Sequence, residues 1–208
     1  MIDIQKEIHS KYPNLKNNKL INASLSKFAK TVVHEKTIND FLIEHKHLKG
    51  FEFIDAVLQY FNFDFLLSDN ELENIPTSGR VVIIANHPLG SLDAFVLLKL
   101  IGKIRPDVKI VANDFLAEFK SIESLLITIN NFKNTQTKEA ISKMYSHLED
   151  DGALIIFPAG EVSRMTPIGV RDGKWQKGFL KLATRTSSPI LPIYVGAKNS
   201  KTFYSVVH

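Results

Sequence analysis

The chain has 208 residues, 44 % of them apolar and 23 % charged, which suits one globular domain with a substantial core. It has no cysteine, which excludes disulfides and thiolate-bound metals, and no apolar run near the ~20 residues that span a bilayer. The formal charge is +4, and nine lysines against five acids within residues 1–50 give a surplus of that same size.

The first ten residues mix Asp3, Lys6 and Glu7 with apolar positions and lack a signal-peptide core. The basic segment to residue 50 is open to two readings. It is a solvated lysine-rich helix face, or a face resting on anionic lipid headgroups, with each lysine contributing roughly 1 kcal/mol. No nucleic-acid partner is expected, since the bases are neither interleaved with aromatics nor part of a reading motif.

From about Leu20 to Phe61 apolar residues recur every three or four positions, as in Phe41, Leu42, His45, Leu48 and in Ile54, Val57, Leu58, Phe61. This predicts two or three amphipathic helices broken near Gly50. Phe28, Phe41, Phe51, Phe53 and Phe61 lie along them, facing a core or inserting in a membrane interface. After Phe63 short β-rich runs alternate with helical stretches. The runs are Phe63–Leu67, Val81–Ala85, Val108–Ala112, Leu126–Ile129, Ala153–Phe157 and Ile190–Val195; helices are expected over 92–102, 114–123, 136–149 and 174–186. The pattern predicts a single α/β domain with a mixed, mainly parallel sheet flanked by helices, behind an N-terminal amphipathic helical extension. The expected division is 1–62 for a membrane-proximal extension and 63–208 for the α/β domain. The chain stops at His208 soon after its last strand, an ending that reads as a domain boundary or a short family member.

The strongest local signal is Val81-Val-Ile-Ile-Ala-Asn-His-Pro-Leu-Gly-Ser-Leu-Asp93. A buried strand ends at Asn86-His87-Pro88, and ligands of α/β sheets gather at carboxyl ends of strands. Pro88 stops the ladder and Gly90 permits an unusual backbone angle, so a tight turn follows. Ser91 suits an N-cap, with Asp93 in the first helical turn. The turn can fold the Asp93 carboxylate towards the His87 imidazole, fixing its tautomer and raising its basicity. Taken singly, His87 reads equally as a buried histidine satisfied by backbone, and Asp93 as a complement to the helix dipole. His9, His34, His147 and His208 are isolated, and His45-x-His47 lacks carboxylate or cysteine partners, so no metal is expected.

The second signal is Ala153-Leu-Ile-Ile-Phe-Pro-Ala-Gly-Glu-Val-Ser-Arg164. The strand ends at Pro158, and Gly160 opens a loop presenting Glu161, Ser163 and Arg164. Amides around such a glycine can bind an anion or oxyanion, and Arg164 adds a charged fork. The other reading is a plain strand-to-loop turn, with Glu161 and Arg164 paired in solvent.

Together these stretches resemble the glycerolipid (lysophosphatidic acid) acyltransferase superfamily, with its Asn-His-x4-Asp motif followed by a Phe-Pro-Glu-Gly-Thr-Arg-Ser-type motif. The resemblance covers roughly residues 70 to 197, including Lys177-Gly178 and Pro189-Ile-Leu-Pro-Ile-Tyr194. Here five residues rather than four separate His87 from Asp93. Ala159 replaces the usual Glu, Glu161 and Val162 replace Thr and Arg, and Asn113 stands where many members have Lys. The version Asn-His-Pro-Leu-Gly-x-Leu-Asp with Phe-Pro-Ala-Gly-Glu-Val-Ser-Arg is similar to a narrower subgroup. These are the bacterial hemolysin-like acyltransferases, related to O-acyltransferases of lyso-ornithine or similar amino-acid lipids; Ile129-Asn-Asn-Phe132 fits its central segment.

The resemblance implies an O-acyltransferase of membrane lipid biosynthesis, with His87 as base and Asp93 as its partner. Asn86, Gly90, Pro158, Gly160, Glu161, Ser163, Arg164 and Lys177 would bind substrate. It implies no bound cofactor, an acyl carrier protein or coenzyme A thioester as donor, a lyso-lipid acceptor, and a peripheral position on the cytoplasmic face of the inner membrane. Longer relatives add an N-acyltransferase domain, so the expected activity is the O-acylating half alone. Lysophosphatidic acid acylation, thioester hydrolysis and non-catalytic lipid binding are the alternatives; no Gly-rich phosphate loop follows a strand, which argues against nucleotide binding.

Overall fold

The computed structural model describes residues 35–67, 69–129 and 134–200. The described residues fall into two compact units, one containing residues 35–48 and the other residues 49–199. In the smaller unit, helix α1 (Glu35–Glu44) buries Phe41, and His45 stacks on that ring at 4.2 Å while donating Nδ1–H to the Phe41 carbonyl. The expected Phe28 and the helical residues before Glu35 lie outside the described residues.

The larger unit opens with α2 (Gly50–Tyr60), whose Phe53, Ile54, Val57 and Leu58 form one buried stripe. This helix packs on α4 (Ser91–Gly102) and on the 3-10 helix Lys120–Leu125. Phe119 joins the three, its ring meeting Phe53 at 6.4 Å and Phe95 edge-on at 5.8 Å. The larger compact unit begins at Lys49. Phe53 is buried within it, whereas Phe61 is 40 % exposed.

Five strands make one parallel sheet: β1 (Val81–Ala85), β2 (Lys109–Ala112), β3 (Leu126–Thr128), β4 (Ala153–Ile156) and β7 (Ile190–Ile193), in the order β3-β2-β4-β1-β7. All five residues of β1 are buried, as a strand covered on both faces requires. Val82, Ile84 and Leu154 pack on one face against Ala140, Met144 and Leu148 of α6 (Asn134–Glu149) and Leu182 and Ala183 of α7 (Gly178–Thr186). The three α6 residues recur every four positions, which is a single helix face. The separate ribbon β5 (Arg164–Thr166) and β6 (Gly169–Arg171) is antiparallel.

Several elements depart from the sequence pattern. Phe63–Leu67 is irregular, with Leu66 fully exposed, because its β propensity meets no strand to pair with. The helix expected over 114–123 divides into α5 (Asp114–Ala117) and the 3-10 helix. The last helix starts at Gly178 rather than 174, since residues 172–176 are held by tertiary hydrogen bonds. A short helix, α3 (Asp69–Leu72), precedes β1.

At the amino ends of the strands, buried Arg105 grips both Asp107 oxygens (2.9 and 2.7 Å) and donates to the carbonyls of Pro76 and Asp151. The hydrogen bond from Arg105 holds the Asp107 carboxyl below its usual range, against an opposing effect of burial.

Candidate active site

After β1 the chain crosses to β2 on one side of the sheet, and after β4 it crosses to β7 on the other. The carboxyl ends of the adjacent β1 and β4 thus flank the crevice where connections diverge, the position where open α/β sheets bind ligands. Both sequence motifs leave the sheet there. The His87 ring lies flat on Phe157, 3.8 Å between centroids and 20° between planes.

His87 and Asp93 meet within this crevice, Nδ1 to Oδ2 at 3.1 Å. The carboxylate is inaccessible, whereas the imidazole is 16 % exposed. A carboxylate on Nδ1 fixes the tautomer with hydrogen there, leaving the Nε2 lone pair available; Nε2 has no hydrogen-bond partner among the described residues. Asp93 Oδ2 also accepts the Leu89 N–H at 2.7 Å, so the turn wraps around the oxygen that orients the histidine. Oδ1 is buried with no protein donor. The fifth intervening residue is accommodated by Gly90, which caps α4 at φ 77° and ψ −131°, a conformation that favours glycine. A Cβ there would also lie 3.3 Å from Val162 of the second motif.

The remaining sequence-derived residues divide by what their atoms touch. Asn86 exchanges two hydrogen bonds with the Val195 backbone, donating to its carbonyl at 2.9 Å and accepting its N–H at 2.6 Å, so its amide fastens the end of β7. Pro158 is buried, and its carbonyl accepts the Gln176 N–H. Gly160 turns at φ 69° and donates its N–H to Phe157, so this amide closes the loop. Ser163 is buried, donating its N–H to the His87 carbonyl at 2.8 Å and its hydroxyl to Asp172. Glu161 and Arg164 form a surface ion pair, the solvent pairing open from sequence. Lys177 is exposed at the cap of α7.

Sequence reasoning missed Asp172. One carboxylate oxygen accepts the His87 backbone N–H at 3.2 Å and the Ser163 hydroxyl, and the other accepts Trp175 Nε1–H at 2.8 Å. It ties both motifs to the loop before α7. The sequence signal was only Asp-x-x-Trp ahead of a helix. Asn199 was missed too; its amide donates to the Pro88 carbonyl at 2.7 Å.

A groove of about 650 Å³ lies elsewhere, between β2, β3 and α6, lined by residues including Lys109, Glu123, Lys143 and His147. Lys109 and Leu126 begin their strands, so the groove is at the opposite end of the sheet from His87.

A histidine held in this way through Nδ1 is an arrangement able to accept a proton at Nε2, the geometry that general-base chemistry uses. The family described as acyltransferase matches residues 8–208. A lyso-glycine lipid O-acyltransferase of Bacteroides thetaiotaomicron is 30 % identical over 209 aligned positions, covering all of this chain and 75 % of that protein. A protein of the same description from Phocaeicola vulgatus is 29 % identical, covering all of this chain and 73 % of its own length. With its histidine–aspartate pair at the switch point of the sheet, the chain belongs to the acyltransferase family and is an enzyme of that class.

Proposed function

We propose that this enzyme moves a fatty acyl group from a thioester donor to a hydroxyl of a lyso-amino-acid lipid, at a membrane surface and in membrane lipid biosynthesis. The observation that carries the reading is the His87–Asp93 pair with its Nε2 unengaged among the described residues. The description of both relatives as lyso-glycine lipid O-acyltransferases supports the acceptor class.

In this reading the acceptor hydroxyl gives its proton to His87 Nε2 as its oxygen attacks the thioester carbonyl. Asp93 stabilises the imidazolium. The tetrahedral intermediate collapses with cleavage of the carbon–sulfur bond, and the thiolate takes the proton back from Nε2. The products are an ester and a free thiol, on acyl carrier protein or coenzyme A. The backbone N–H groups of Ala159, Glu161 and Val162 are the candidate oxyanion donors.

The acceptor's head group is assigned to Arg164 and Lys177. A glycine head group with a free carboxylate has its geometric match in a guanidinium. Glu161 then serves to orient Arg164 rather than to bind an amine. The segment before residue 63 is assigned to a membrane-proximal role, placing the enzyme peripherally on the cytoplasmic face of the inner membrane. No helix among the described residues is long and apolar enough to cross a membrane.

The test is transfer from labelled acyl carrier protein and acyl coenzyme A to a panel of lyso-lipids, with His87→Ala beside the parent. Labelled product from an amino-acid lyso-lipid, lost in the variant, is expected. Product from lysophosphatidic acid alone would reject the acceptor class, and free fatty acid alone would reject transfer in favour of hydrolysis.

A further inference from the structure

The segment that joins Ser163 to Asp172 is itself unusual. Ribbon β5–β6 starts just after Ser163, whose N–H binds the His87 carbonyl, and ends just before Asp172, which accepts the His87 N–H. Both roots of the hairpin are therefore fixed to the backbone of one histidine. Its tip, Pro167–Ile168, points outward, and the Thr166 hydroxyl closes the turn on the Gly169 carbonyl at 2.6 Å. Ile168 is 77 % exposed, and Met165, Trp175 and Leu180 are 40, 37 and 42 % exposed. These four exposed apolar side chains all fall within residues 165–180.

Charge surrounds it. Arg164 and Arg171 face each other across the ribbon, and Lys174, Lys177 and Lys181 follow, all exposed. From Gly173 to His208 the sequence holds six basic residues and no acidic one. Exposed aliphatic residues, one tryptophan and a basic border form the composition of a surface that enters the headgroup layer of an anionic bilayer.

We infer that the β5–β6 hairpin and the start of α7 form the face on which this enzyme sits on anionic lipid, with Ile168 as the inserted tip. A strand of three residues places the tip about 10 Å beyond its roots. Interfacial segments sink roughly 5–10 Å, so an inserted tip leaves His87 level with the headgroups, where a lyso-lipid hydroxyl lies. A protruding apolar tip suits a deformable lipid layer better than the surface of an acidic carrier protein. The inference rests on the proposed function only in taking the acceptor from a lipid surface, and vesicle binding is measured without turnover, so the two fail separately.

Trp175 is the sole tryptophan and reports on this face directly. The experiment adds vesicles of phosphatidylcholine mixed with phosphatidylglycerol, with and without bromine in the acyl chains, to the whole chain. The expected result is a blue shift of Trp175 emission and its quenching by brominated lipid. Ile168→Asp should lower vesicle affinity by about tenfold or more, and Lys174→Glu should weaken it in a salt-dependent way, while both keep parental activity on detergent-dispersed acceptor. Trp175 left unquenched by brominated vesicles overturns the inference. Parental vesicle affinity in Ile168→Asp does the same, as does an emission shift caused by acidic carrier protein but not by vesicles.

Discussion

The Asp172 carboxylate accepts the backbone N–H of His87 across 85 residues of sequence. The contact is to the backbone of His87 and not to its imidazole, so Asp172 is a positioning residue that sets the height of His87 above the end of β1. Because the same carboxylate also holds Ser163 and Trp175, its loss releases three donors at once. Asp172→Ala should reduce kcat by about tenfold or more, with a stability loss of ~1–3 kcal/mol in urea denaturation. Asp172→Asn keeps an acceptor for the His87 N–H and should recover most of kcat. Equal kcat in both variants would show that Asp172 only supports the loop.

Asp93 has a different task, acting on the imidazole itself. Asp93→Asn retains an oxygen for the Leu89 N–H but removes the charge that stabilises the imidazolium. The expected fall in kcat is ~10²- to 10⁴-fold, the usual range for general-base assistance. KM for the lyso-lipid should stay near the parental value, because the inaccessible carboxylate cannot meet substrate. Steady-state kinetics with each substrate varied in turn checks the split.

Gly90 lets a turn with five intervening residues bring His87 and Asp93 together. Alanine at φ 77° is strained by ~1–3 kcal/mol, and its Cβ would press on Val162 at 3.3 Å. Gly90→Ala should therefore lose both stability and kcat, whereas Gly160→Ala, with open space around its Cβ, should lose only the backbone term. Denaturant midpoints together with kcat values for the two variants test this contrast.

These positions differ in how legible they were from sequence. His87 was readable because Val81–Ala85 is an uninterrupted apolar strand ended by Pro88, so strand and stop are both local. The alternation of strands and helices gave the α/β sheet, and the resemblance brought the second motif to the same site. Asp172 was not readable, since its partners are a backbone N–H, a hydroxyl and an indole that only tertiary packing brings together. Asn86 read as a ligand residue beside the histidine, and the fold engages its amide with the Val195 backbone just past the edge strand β7. The β5–β6 hairpin escaped notice because its strands are three residues long and largely exposed, leaving no period to detect. Phe63–Leu67 shows the converse, a β-prone run without a neighbour.

His147 gives a prediction about stability that is independent of catalysis. It lies near the end of α6 and shares hydrogen-bond distance, 3.0 Å, between Nε2 and the Ala153 carbonyl at the start of β4. Gly152 runs so close beneath it that an added Cβ would sit 2.4 Å from the ring. Burial, with Lys109 also opposing the cation, lowers the pKa of His147 below 6.5, and the carbonyl contact only partly offsets this. The folded state therefore resists a proton that the unfolded chain accepts. The stabilising contribution is complete above pH 6.5 and is lost as pH falls from there towards the folded-state value. Urea denaturation between pH 5 and 8 should show stability declining on the acid side, and His147→Gln, which cannot titrate, should flatten that decline. An unchanged slope in the variant would assign the acid loss to other groups.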